Sequence, residues 1–429
     1  MMKTPIYEEH RNALPGPDDI TRQVLPNGIT VLSRANFNSP TLSIKGYLHS
    51  GSLLDPQGKL GLSYLVAFGL MTGTAHHDFQ SLYNEIESIG ASLNFSSSTL
   101  TTSFSAHCLS EDLPVILGLI SDCLRSPSFP DKEFNRQKNQ MLTALAIRAQ
   151  DTSAMASLLF DKIVYAGHPY QHPDEGYSET VQAIERDDLV DFYQRTYGPK
   201  NMVVVIVGAI DPQVAVDAVN HSLGDWTNPT QAQLPEIPAI SPLQKRTQKT
   251  TSIPGKSQAD IVMGSHAPDR HSPDFHALRI GNNILGEFGM MGRLGQRVRE
   301  DAGLAYYAYS SLSISLGPGA WEMIAGVNPS NIDQTIALIT DEVRRFVSEP
   351  VTEDELSDSK SNFLGRMPLL LESNSGVAVS LLNIEHFNLG LDYFLKYSNL
   401  VQAITQEDIL VASRKYLDPD RLAIAVAGP

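Results

Sequence analysis

The chain has 429 residues, 42% hydrophobic and 19% charged, which supplies enough apolar side chain for packed cores and exceeds the size of one ordinary domain. Lys and Arg total 32 against 48 Asp and Glu, a formal charge of −16, so the summed field repels polyanions and excludes a general nucleic-acid binder. No apolar run approaches the ~20 residues that span a bilayer, and residues 1–16 carry neither a secretory apolar core nor an Arg-rich transit bias; the reading is a cytoplasmic protein without membrane insertion.

From the N-terminus, residues 28–33 and 41–48 read as strands, the first entered through an Asn27-Gly28 turn. Helical patterning follows over 60–70 and 81–89, then a strand pair within 91–107, then helices over 113–124, 132–150 and 154–165. Cys108 and Cys123 match no metal or redox spacing and read as buried thiols. A helix over 187–196 and a Pro-containing turn lead into the apolar run 202–207. The Pro-rich stretch 228–244 reads as a linker between an N-terminal domain, residues 1–227, and a C-terminal domain, residues 245–429.

The second domain repeats the first. Leu119-Ile120-Ser121-Asp122 lines up with Leu338-Ile339-Thr340-Asp341, and the stretch from Pro199 to Gly208 lines up with that from Pro419 to Gly428. The offsets, 219 and 220 (338 against 119, 419 against 199), are nearly equal, as expected of an internal duplication. Strands and long helices without strict βαβ alternation predict an α+β protein of two homologous domains, each a mixed sheet with helices packed mainly on one face.

Several catalytic signatures fail by one residue type. Gly255-Lys256-Ser257 ends like a phosphate loop, but Thr250 replaces its first glycine. Asn220-His221-Ser222-Leu223-Gly224 lacks the first glycine of a nucleophile elbow and sits at the end of an amphipathic helix. Of the twelve histidines none lies in His-Glu-x-x-His or its inverse; His168 and His172 are followed by Pro169 and Pro173, which keep them off one helical face. His76-His77 mark the exposed start of a helix before Asp78. No metal site can be assembled.

Gly51-Ser52-Leu53-Leu54-Asp55, Gly61-Leu62-Ser63-Tyr64-Leu65-Val66-Ala67-Phe68, Met71-Thr72-Gly73-Thr74-Ala75, Ile89 to Asn94, Asn201 to Gly208 and Gly292-Arg293-Leu294 through Tyr306 resemble the insulinase/pitrilysin family of zinc peptidases. That family includes the mitochondrial processing peptidase and respiratory-complex core proteins. The resemblance implies homologous α+β domains arranged in pairs as a clamshell around a closed chamber. Active members carry His-x-x-Glu-His after the Gly-Leu; here Tyr64, Ala67 and Phe68 occupy those positions. The family's further ligand, a glutamate expected near Thr143 to Leu145, is also missing, since no glutamate occurs between Glu133 and Glu175. A phenol is a poor zinc ligand near neutral pH and a benzyl ring is none, so this chain is expected to hold no metal or cofactor, and zinc is expected in a partner.

The resemblance also assigns Arg299 and Tyr306 as the family's substrate-binding, oxyanion-supporting pair. Gly303 should end the helix bearing Arg299, and a strand should begin at Leu304. Read without the family, Arg299 is a helix-end cation paired with Glu300 or Asp301, and Tyr306 a half-buried strand aromatic. Tyr307 and Tyr309 are neighbouring phenols, and Arg293 is a turn residue with a structural role. Unfolded peptides would add as a strand beside Leu93, Asn94 and Phe95, which otherwise form a plain hairpin strand. The expected function is the zinc-lacking subunit of a heterodimeric metallopeptidase, acting in trans to a homologous subunit that carries His-x-x-Glu-His. The alternatives are a structural or assembly protein of the same fold and a homodimeric peptide-binding protein.

Overall fold

The computed structural model describes residues 14–429. Its strands are β1 (Thr21–Val24), β2 (Thr30–Ala35), β3 (Thr41–Leu48), β4 (Ser92–Ser97), β5 (Thr102–Leu109), β6 (Val203–Gly208), β7 (Thr247–Ser252), β8 (Ala259–Ala267), β9 (Ala305–Ser313), β10 (Gly319–Val327) and β11 (Ala423–Gly428). Four helices matter below: α1 (Leu62–Gly69), α2 (Asp131–Arg148), α3 (Thr152–Val164) and α4 (Asn374–His386). Among the described residues no helix is long and apolar enough to cross a membrane.

The chain forms two compact units. One comprises the described residues up to Leu145 with Pro173–Glu236 and Met367–Lys396; the other comprises Ala146–His172, Ile237–Arg366 and Tyr397–Pro429. The first holds a six-stranded sheet in the order β1-β2-β6-β3-β5-β4, the second a five-stranded sheet in the order β7-β11-β8-β10-β9. From β2 onward the two orders correspond strand for strand. The direction pattern corresponds too: β2 with β6 and β7 with β11 are parallel, and every other neighbouring pair is antiparallel. The fold is therefore α+β and written twice. The repeated C-terminal strands β6 and β11 are buried at every position, which is why both are continuous apolar runs without alternation.

In the first unit Val31, Ile44, Val204 and Ile206 face a core shared with helix residues such as Leu65, Ile116, Phe192 and Val216. The opposite face carries α4. There Arg22 donates to both carboxylate oxygens of Glu385 at 2.8 and 2.7 Å, Asn36 donates to Asn374 at 2.7 Å, and the Tyr47 and His386 rings meet edge-on at 5.1 Å. In the second unit α3 supplies Ala156, Phe160 and Ile163 to a cluster with Val262, Ile324 and Ala425. The other face buries Met263 and Trp321, with the Trp321 indole donating to Asn282 at 2.9 Å. Each sheet thus has several helices on one face and a single helix on the other. That single helix comes from the opposite half of the sequence, because the second face is apolar and gains ~1.5–3 kcal/mol for each large side chain it buries.

The stretch 228–244 has neither helix nor strand, yet it is pinned rather than loose. Gln231 accepts from the Lys200 amide at 3.0 Å, Ala232 donates to the Arg195 carbonyl at 2.7 Å, and the Pro238 carbonyl lies 3.0 Å from His168 Nε2. Residues 253–258, which include Gly255-Lys256-Ser257, form the connection between β7 and β8, with Gly255 at φ +81.

Candidate functional site

At the position of the family's metal helix, α1 begins on Gly61, whose φ of +97 lets the chain turn into the helix. Asp55 accepts from the Gly61 and Ser63 amides at 2.8 Å each. Burial pushes the Asp55 carboxyl up to about 7, against the pull of those two amides. On α1, Tyr64 and Phe68 lie one turn apart with ring centroids 4.6 Å apart, and Ala67 is 0% exposed. The neighbouring α2 touches this helix through Gln137, which donates to the Phe68 carbonyl at 3.0 Å. Near the expected glutamate, Thr143 bonds its own helix at Asn139 and Leu145 is in the core. The residues present do not fit zinc: apolar packing occupies the position, and among the described residues no three His, Cys, Asp or Glu side chains are grouped to hold a metal.

Arg299 lies on a π-helical turn, Gly295–Asp301, of the kind that often marks functional sites. Gly303, at φ +64, donates to the Arg299 carbonyl at 3.1 Å, and Leu304 donates to the Val298 carbonyl at 3.1 Å. This double bond pattern ends the helix and starts β9 two residues later. The acid nearest to Arg299 is Glu300 at 3.6 Å, both side chains being substantially exposed; such a pair contributes little, so the guanidinium remains available to an acceptor. Asp301 is engaged elsewhere, by the Gln296 amide at 2.7 Å.

Tyr306 is 59% exposed. The β9–β10 register slips beside it: Tyr307 opposes Gly326 and Ala305 opposes Val327, leaving Tyr306 without a cross-strand partner at a bulge. Tyr307 is committed otherwise. Its hydroxyl donates to Asp260, and burial together with that carboxylate raises its pKa. The fully buried Asp260 also accepts from Thr152 and Gln258. Tyr309 is partly exposed on the same side of the strand as Tyr307. Arg299 and Tyr309 line one pocket, and Tyr306 is not part of its lining. Arg293 is bound on both Nε and Nη2 to Glu355, at 2.6 and 2.7 Å, a structural ion pair.

Leu93, Asn94 and Phe95 sit on β4, the last strand of its sheet. The trio divides by strand alternation. Leu93 and Phe95 are 5% and 6% exposed and belong to the core, while Asn94 faces solvent; what this edge offers a peptide is its outer backbone and Asn94. Of the remaining sequence candidates, Cys108 and Cys123 are buried free thiols, pushed up by burial to about 11 and about 12. His77 lies 2.9 Å from both Asp122 and Glu85. Sequence reasoning passed over Arg279, whose spacing of one helical turn from Phe275 is the one local signal of its cation–aromatic contact.

Residues 30–173 match the family model described as insulinase (peptidase family M16), and residues 183–363 match that of the peptidase M16 inactive domain. The chain belongs to the M16 peptidase family. It is similar along its length to further M16-like proteins: an uncharacterised zinc protease of Mycobacterium leprae is 24% identical over 414 residues, covering 96% of this chain and 92% of that protein. A non-peptidase homologue from Helicobacter pylori is 24% identical over 386 residues, covering 89% and 88%. The crystal structure of a peptidase M16 inactive domain from Pseudomonas fluorescens superposes with a TM-score of 0.89 at 25% identity, covering 96% of this chain and 98% of that one.

Proposed function

We propose that this M16 chain is the zinc-lacking subunit of a heterodimeric metallopeptidase of the cytoplasm, with a homologous His-x-x-Glu-His subunit as its partner. The observation that carries the reading is an asymmetry within the chain. The metal-helix positions carry the Tyr64 and Phe68 rings, 4.6 Å apart, in place of ligands, whereas Arg299 and Tyr306 are kept at a helix-to-strand corner built by Gly303 and reach solvent. An exposed guanidinium held only by the loose Glu300 contact and an exposed phenol add little to packing and are well suited to donate to a tetrahedral oxygen. The partner would supply the metal, its ligands and the general base. This chain would bind unfolded peptide and donate from Arg299 and Tyr306. In the assembled pair, Arg299→Ala is expected to lower kcat for peptide hydrolysis by roughly 10²–10³-fold with an unchanged melting temperature, and Tyr306→Phe to lower it less; unchanged hydrolysis in both variants contradicts the reading.

The Helicobacter pylori relative's description as a non-peptidase homologue favours a second reading, a structural or assembly protein of this fold. In that case a stable complex with the partner hydrolyses nothing.

A further inference from the structure

Arg279 lies on the helix Phe275–Asn282 with its guanidinium 4.8 Å from the Phe363 ring centre and 5.7 Å from that of Phe275. It is half-buried, and among the described residues no carboxylate pairs with it. Phe275 is held more closely by Arg270, at 3.5 Å, so the Phe363 ring is the nearer aromatic contact of Arg279; such a contact orients a guanidinium without neutralising it, and partial burial strengthens whatever anion contact it makes.

The guanidinium borders a pocket of about 540 Å³ that Arg299, Asn282, Glu287, Tyr307 and Tyr309 also line. The pocket's acid is already engaged: Glu287 accepts from the Asn282 amide at 2.9 Å and stands 3.8 Å from Arg366. Two arginines therefore face the space with no acid of their own beyond the loose Glu300 contact. The pocket follows β9 from Tyr307 to Leu312, and β9 is the last strand of its sheet, the counterpart of β4 in the duplicate. Among the described residues its outer backbone edge has no strand partner, which is the geometry for strand addition by an extended peptide.

We propose that this pocket is a subsite for an acidic side chain, Asp or Glu, of a peptide paired along β9, with Arg279 as the residue that selects it. The inference rests on the peptide-binding part of the functional reading. A side chain is favoured over a chain terminus because β9 continues beyond the lined stretch at both ends, so a paired peptide passes through. Charge complementarity is local. The net charge of −16 works against acidic ligands at long range, so the preference has to come from contact within the pocket.

The test is fluorescence polarisation with the full chain and an extended Ser/Gln host peptide, scanned with one Glu at successive positions and made with free and amidated C-termini. The expected result is one position at which Glu binds on the order of tenfold tighter than Gln, independent of the C-terminus. Arg279→Met, which keeps an apolar stem against the rings, removes that difference, and Arg279→Lys restores part of it. Equal binding of every Glu and Gln peptide by the unsubstituted chain overturns the subsite without depending on any variant. So does a preference that follows the free C-terminus or survives Arg279→Met. Absence of all peptide binding overturns the subsite as well, while hydrolysis by the assembled pair continues to decide the subunit reading separately.

Discussion

Arg293 and Arg299 belong to one sequence motif and do opposite things. Arg293 is bidentate to Glu355 and 3.6 Å from Glu342, whose side chain is 1% exposed. Removing it leaves a buried carboxylate with weaker compensation, so Arg293→Ala is expected to cost about 3–5 kcal/mol in urea unfolding, where Arg299→Ala costs almost nothing. Burial alone would raise the Glu355 pKa, but Arg293 and the Thr352 amide hold it down to about 2. The pair's contribution is therefore complete above the ordinary Glu value of 4.5 and disappears as pH falls through about 2. The corner that carries Arg299 and Tyr306, ended by Gly303, could be read in the sequence because its geometry is set within a few residues of chain. Arg279 and Asp260 were invisible, since the Phe363 ring and the Thr152 and Tyr307 hydroxyls that define them come from far along the chain.

At the scale of elements, the corner between the π-helical turn and β9 depends on Gly303. A Cβ there would meet no atom within 4 Å, so Gly303→Ala isolates the backbone cost of a positive φ. The expected loss is about 1 kcal/mol of stability, with a fall in hydrolysis by the assembled pair as Arg299 and Tyr306 lose register; unaltered activity would show that the corner does not set the pair. The docking of α3 carries a pH signature. Asp161 on α3 and Glu322 on β10 are both pushed up to about 7, each by burial and Asp161 also by the charge of Glu322. Carboxyls raised in the folded state hold their protons longer there than in the unfolded chain. Stability is therefore greatest below the unfolded values, 3.8 and 4.5, and declines as pH rises to about 7. Asp161→Asn and Glu322→Gln should each add about 1–3 kcal/mol near pH 8 and nothing near pH 4, read from urea unfolding at the two pH values. The existence and extent of most helices and strands were legible from periodicity, as for residues 41–48 and 187–196, whereas the sheet that α3 covers was not. An amphipathic helix records that it has an apolar face, not which surface meets it.

At the scale of the whole molecule, the duplication was legible because two segments repeat at almost one offset, and the strand orders carry the same repeat. The packing of α3 and α4 on sheets built from the opposite half of the sequence has no counterpart in the sequence pattern, because both helices lie inside their own halves of the chain. The central claim concerns a division of labour between two chains, one with metal and one with donors. Its most direct test is peptide hydrolysis with zinc by this chain alone, by a co-expressed His-x-x-Glu-His homologue alone, and by the two together. The account predicts turnover only in the mixture; a stable complex with no turnover, or full turnover by the homologue alone, would contradict it.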